Sequence, residues 1–157
     1  MQLVDRFPGK IIGPALKCLI TLSAMIVIII TGNVYSQGLS IIIAEPKDGK
    51  QVCWRTMIRG SVSDPKLQVF VAIHPMAAPK FYIQPIPTMS SDGKWSAYCY
   101  FGEQDQGINE PFEIIALASK NKNLFKEGDI LPSPLPDNQQ ILFRSNPVIV
   151  KRAPCLK

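Results

Sequence analysis

Histidine is nearly missing from this sequence: His74 is the single one in 157 residues. A Ser-His-Asp or Cys-His device, or a histidine-bearing zinc site, has to be built around that one ring. No Gly-x-Ser-x-Gly nucleophile turn accompanies it, and its place before Pro75 at a strand end reads as structural. The four cysteines include no Cys-x-x-Cys pair, which disfavours thiol redox catalysis and zinc ribbons. Past residue 36 the apolar residues show no helical period, and no repeat at solenoid or propeller spacing is present. A basic cluster is also missing. The formal charge is +5, but the lysines and arginines are scattered, whereas a nucleic-acid footprint gathers them on one face or stripe. Nucleic acid is therefore not an expected partner.

Charge of either sign is absent from residues 18–44. The apolar centre of that run, 19–30, comes after Arg6, Lys10 and Lys17, the cation-first order of a secretory signal. Val34-Tyr35-Ser36 offers small or medium residues before a cut at Gln37. The apolar centre falls short of the ~20 residues of a comfortable membrane span, so a cleaved signal over 1–36 is the first expectation. An uncleaved anchor using residues 16–35 is the alternative. Both place the cations on the cytoplasmic side and export the remainder of the chain. Cys18 precedes the apolar run, the wrong position for a lipid-modified cysteine. Residues 37–157 then form one domain, large enough to bury a core of its own, with 14 basic against 11 acidic residues.

This exported part is rich in alternation and turns. Around Asp92-Gly93, a tight-turn dipeptide, Trp95, Ala97, Cys99 and Phe101 share one face, with Lys94, Ser96, Tyr98 and Tyr100 on the other. A central strand carrying a buried Trp95 is the expectation. Further strands are predicted over 39–44, 55–62 (Thr56, Ile58, Gly60 and Val62 inward), 67–74 (Leu67, Val69, Val71 and Ile73 inward) and 112–118. A short edge-like strand is expected at 80–84. The last is expected within 141–151, interrupted by Pro147. Residues 119–139 read as a polar, proline-rich connection with one helical turn near 123–126. Six to seven short strands with frequent turn signals predict an all-β sandwich of immunoglobulin-like type behind a hydrophobic signal or anchor helix.

Three cysteines remain after removal of the signal, and export permits a disulfide. Cys53 reaches either Cys155 or Cys99 in a sandwich of this order. The preferred pair is Cys53–Cys155, which staples the tail and leaves Cys99 as a buried thiol. The loop 102–110 is rich in oxygen ligands (Glu103, Asp105, Asn109, Glu110), but its spacing is not that of a calcium loop; no metal and no cofactor is expected. Trp54, Phe81, Tyr82, Tyr98 and Tyr100 exceed what a core of this size holds. If Tyr98, Tyr100, Phe81 and Tyr82 lie side by side, they make a platform for sugar rings or for a protein.

Pro46-x-Asp48-Gly49, Gly60-x-Val62, the 69–75 strand ending in His-Pro, Phe81-Tyr82-x-Gln84-Pro85, Asp92-Gly93-x-Trp95, Gly102, Phe112-Glu113-Ile114 and Val148-x-Val150-x-Arg152 stand together in this chain. This set resembles an extracytoplasmic β-sandwich module, immunoglobulin-like or carbohydrate-binding-like, found as an accessory domain in uncharacterised bacterial and archaeal surface and membrane proteins. The likeness spans about residues 40–152. The chain departs from it in its added cysteines and in the lysine-rich stretch 120–126. The resemblance implies an exported module without catalytic residues. Such a module binds an envelope or extracellular protein or, as the alternative, a glycan through exposed aromatics. Its motifs mark turns and core positions, which specify a fold more than a function.

Overall fold

The computed structural model describes residues 38–155. The chain divides between Ser36 and Gln37 into two units, the second holding all described residues. The expected signal or anchor helix over 1–36, with its span at 16–35, lies outside the described residues. Among those described there is no helix, hence none long and apolar enough to cross a membrane.

Eleven strands form among the described residues. They are β1 (Ile41–Glu45), β2 (Gln51–Val52), β3 (Arg55–Val62), β4 (Gln68–Pro75), β5 (Lys80–Ile83), β6 (Thr88–Met89), β7 (Lys94–Tyr100), β8 (Pro111–Ser119), β9 (Ile130–Pro132), β10 (Ile141–Arg144) and β11 (Val148–Arg152). One sheet runs β1-β3-β7-β6; the other runs β2-β11-β8-β4-β5-β9, with β10 also paired to β8. The expected six to seven strands were too few, chiefly because β2, β6 and β9 are two or three residues long and carry no readable alternation.

Period-two patterning places the core between the sheets. Ile58, Val62, Trp95, Ala97 and Cys99 from the first sheet meet Val69, Val71, Ile73, Phe112, Ile114 and Val150 from the second in one cluster, as a two-layer sandwich requires. Trp95 is 2% exposed and lies opposite Gly60 in the β3–β7 register. A Cβ on Gly60 would sit 2.2 Å from the Trp95 ring and 2.1 Å from the Ile42 carbonyl oxygen. The glycine is thus what allows the indole to lie across β3. At the turn before β7, Gly93 has φ +81°, and Asp92 accepts from Ser90 Oγ and from Lys94 Nζ at 2.6 Å.

Three expectations are corrected. Strand β5 is not an edge, because β9 covers its outer side through Phe81↔Leu131 and Tyr82↔Ile130. The helical turn near 123–126 is absent; Ser119 closes β8, and residues 120–139 form turns, irregular chain and β9. Nor does β4 bury one face alone. Phe70 and Ala72, which point away from the sandwich core, are 0% exposed and lie in a second cluster with Phe81, Ile83, Leu117 and Leu135, capped by Leu124 and Phe125. Few apolar residues in a polar segment suffice for that cap, so the segment's average polarity hid it.

The break at Pro147 does divide the last strand. Both parts pair antiparallel with the same edge of β8: β10 with Leu117, Ala118 and Ser119, and β11 with residues 111–114. Strand β11 also pairs in parallel with β2, which brings the segment after Val52 beside the chain's last described residues.

Candidate functional site

Alternation along β7 turns Tyr98 and Tyr100 outward, 48% and 37% exposed. Strand β3 lies beside it in the register Arg55↔Tyr100 and Met57↔Tyr98. The Arg55 guanidinium stacks on the Tyr98 ring at 4.4 Å from its centroid, and Trp54 tilts against Tyr100 with ring centroids 5.7 Å apart. Trp54, Arg55, Tyr98 and Tyr100 therefore form one aromatic and cationic patch at one end of the first sheet. The sequence placed the two tyrosines on a common face. It did not reveal Arg55 as their companion, because that depends on register.

The four-residue platform does not assemble as expected. Phe81 is 2% exposed; it packs in the second cluster and against His74, centroids 4.6 Å apart. It offers no face to a ligand, because β5 turns it toward the cover supplied by 119–139. Tyr82, its neighbour, points to the other side of β5 and is half-buried. Tyr82 and Tyr100 line one concavity of about 460 Å³ with Pro75, Gln84, Glu103 and Glu127. Two of the four aromatics thus share a cleft, a third stands outside it on the same sheet face as Tyr100, and Phe81 is excluded.

Gln84 is the residue that sequence reasoning missed. It is 6% exposed. Its side-chain oxygen accepts the Tyr100 amide at 2.8 Å, and its side-chain nitrogen donates to the Tyr82 carbonyl at 3.1 Å. One buried amide ties the main chains of both tyrosines and so the end of β7 to β5. A buried polar group must be paired or cost on the order of 1–3 kcal/mol, and here both ends are. A glutamine between apolar residues and a proline gave the only signal.

His74 faces two acceptors. Its Nδ1 lies 3.0 Å from a Glu113 carboxylate oxygen and its Nε2 lies 2.6 Å from the Ala78 carbonyl. Both ring nitrogens thus face protein groups, one on β8 and one in the turn after β4, which fixes the ring's orientation at the end of β4. Among the described residues no three histidine, cysteine or acidic side chains gather as a metal site. Beneath the loop 102–110 sits Arg152, 1% exposed. It donates through Nη2 to the Gln104 carbonyl, while its carbonyl and amide bind Asn109 N and Glu110 O. A buried cation, with Nε and Nη1 unpartnered, organises that loop, which argues against a second cation there.

All three described cysteines are free thiols, so the expected disulfide is not formed here. Cys53 nevertheless adjoins Cys155. A side-chain hydrogen bond with Cys155 raises the Cys53 thiol above its ordinary value, with desolvation adding to it and the Arg152 charge opposing. The parallel pairing of Val52 with Arg152 brings the two together. Cys99 is buried and its thiol is pushed far upward by desolvation, leaving it an inert packing group. Compared with family models, curated proteins and solved structures, the chain matches none.

Proposed function

We propose that this chain is an exported, non-enzymatic β-sandwich module that binds a protein partner at the cell envelope. The observation that carries this reading is the Trp54, Arg55, Tyr98 and Tyr100 patch. Tryptophan, tyrosine and arginine are the residues that dominate interface energetics, and here they are pre-stacked, which lowers the ordering cost of binding. The strand order supports an immunoglobulin-like arrangement. The β1-β3-β7-β6 sheet corresponds to an A-B-E-D layer, and β8, β4 and β10–β11 correspond to F, C and G. Export rests on the cation-first apolar segment ahead of residue 37. The test is capture of a partner by the full chain in envelope fractions, repeated with Tyr98→Ala and Arg55→Ala. Loss of the same partner, at about 2 kcal/mol or more for a central residue, is expected. Undiminished capture, or turnover in a hydrolase or transferase screen that His74→Ala or Glu103→Gln abolishes, sinks the proposal.

A second reading has its own observation. The cleft between Tyr82 and Tyr100 sets two phenol rings near the Glu103 and Glu127 carboxylates, and stacking faces beside hydrogen-bond acceptors suit a pyranose. A glycan array should then give a signal that Tyr82→Ala and Tyr100→Ala remove while Tyr98→Ala does not. Silence across the array, or binding indifferent to Tyr82, rejects it.

A further inference from the structure

We infer that two copies of this chain pair through β1, antiparallel, about a twofold axis at Ile42. In an antiparallel ladder successive residues turn their main-chain groups alternately to either side. Ser40 accepts from Ser63 N at 2.9 Å, and Ile42 stands opposite Ser61, so Ser40 and Ile42 face β3. Ile41 and Ile43 then turn their N–H and C=O groups outward. Strand β1 ends its sheet, and among the described residues nothing pairs with those groups. Unpaired edges are normally blunted by shortness, proline or charge. The other edges are shorter or interrupted: β2 and β6 have two residues each, β9 has three including Pro132, and β10 has four ending in Arg144. In β1 the charge and the proline come only at its end, Glu45-Pro46; from Leu39 to Ala44, the part that a twofold at Ile42 pairs, there is neither.

Apolar exposure lies on the same edge. Leu39 and Ile42 are each 53% exposed and Leu142 is 39% exposed; all three line a groove of about 580 Å³ between β1 and β10. A foreign strand would satisfy the main chain equally well. The second copy is favoured because the edge is compatible with itself. Ile41 of each copy meets Ile43 of the other as a hydrogen-bonded pair, and Ile42 falls opposite its own counterpart as a non-hydrogen-bonded pair. No like charges oppose each other anywhere along 39–44. This is an isologous contact, in which one patch serves both partners. A single pair of short strands buries less than a standard interface, so the dimer is concentration-dependent.

The test uses the full chain with Cys18, Cys53 and Cys155 changed to serine, oxidised mildly and run without reductant. Ile42→Cys should give a disulfide-linked dimer, because Cα atoms about 4.5 Å apart in such a pair fall within the disulfide range of about 4.4–6.8 Å. Thr88→Cys, on the opposite edge, should stay monomeric. In the otherwise unaltered chain, Ile42→Lys sets two lysines face to face and should abolish the dimer seen by sedimentation, with the circular dichroism of a β protein retained. The inference is overturned by a monomeric Ile42→Cys protein, by equal crosslinking at Thr88→Cys, by a dimer that survives Ile42→Lys, or by crosslinking of Ile42→Cys to a different protein in place of its copy.

Discussion

At the residue scale, the sandwich depends on an atom that is missing. Gly60 has no Cβ, and the space it leaves is filled by the Trp95 ring and the Ile42 carbonyl. Gly60→Ala forces a backbone contact that no rotamer relieves. It is expected to cost about 3 kcal/mol, the upper part of the overpacking range, read as a lowered urea midpoint at unchanged m. Asp92 shows a different dependence. Hydrogen bonds from the Lys94 ammonium, then Ser90, then the Lys94 amide hold its carboxyl well below the usual carboxylate range, and Lys94 is raised in return. A depressed acid stabilises the fold above its unfolded value of about 3.9, and that support is lost as pH falls toward the folded value. A raised lysine stabilises below about 10.4 and stops doing so as pH rises through its folded value. The gap in Tm between the natural chain and Asp92→Asn should therefore be widest near neutrality and narrow on acidification. A gap that does not change between pH 7 and pH 3 contradicts this account.

At the element scale, β4 and β8 have both faces buried, and the cover on the outer face comes from 119–139. Phe125 stacks edge-on against Phe70, centroids 5.4 Å apart, and Leu135 closes the same cluster. Phe125→Ala is expected to destabilise by about 2 kcal/mol, below the range of about 3–5 for a fully buried phenylalanine, because Phe125 is only half-buried. It should also raise hydrogen exchange in β5 and β9 ahead of β3 and β7. Uniform exchange across both sheets would mean that the cover is not a separate cooperative unit. Gln84 acts between elements. Gln84→Leu leaves the Tyr100 amide without its acceptor and should loosen the end of β7, seen as faster exchange at Tyr100 with Trp95 fluorescence unchanged.

At the scale of the whole molecule, the last described residues run beside the segment that follows β2. Cys53 lies just after β2 and Cys155 after β11, and the parallel pairing of those strands brings the two segments side by side with both thiols free. An oxidising compartment should join them. Denatured, alkylated protein recovered from such a compartment is then expected to show Cys99 as the one free thiol beyond residue 36, rising to three on reduction. Closing a loop of about 100 residues stabilises by up to about 4.7 kcal/mol in the chain-entropy picture. Three thiols found without reductant would reject the bond and weaken the case for export.

Local terms were already fixed by the order of amino acids. Alternation in 55–62 and 94–100 set which side chains enter the core, because a strand has only two faces. Asp92-Gly93 and Pro147 set where chains turn or break, because φ is a property of the residue. Trp95 and the inward faces of β3 and β4 were legible for those reasons. Whatever depends on register and on partners distant in sequence was settled only by packing: that Phe81 lies under cover while Tyr82 meets Tyr100, that Arg55 stacks on Tyr98, that Gln84 joins two sheets, and that β1 ends with open main-chain groups. A period of two says which side a residue takes, but which neighbour waits there is fixed by how the strands are ordered.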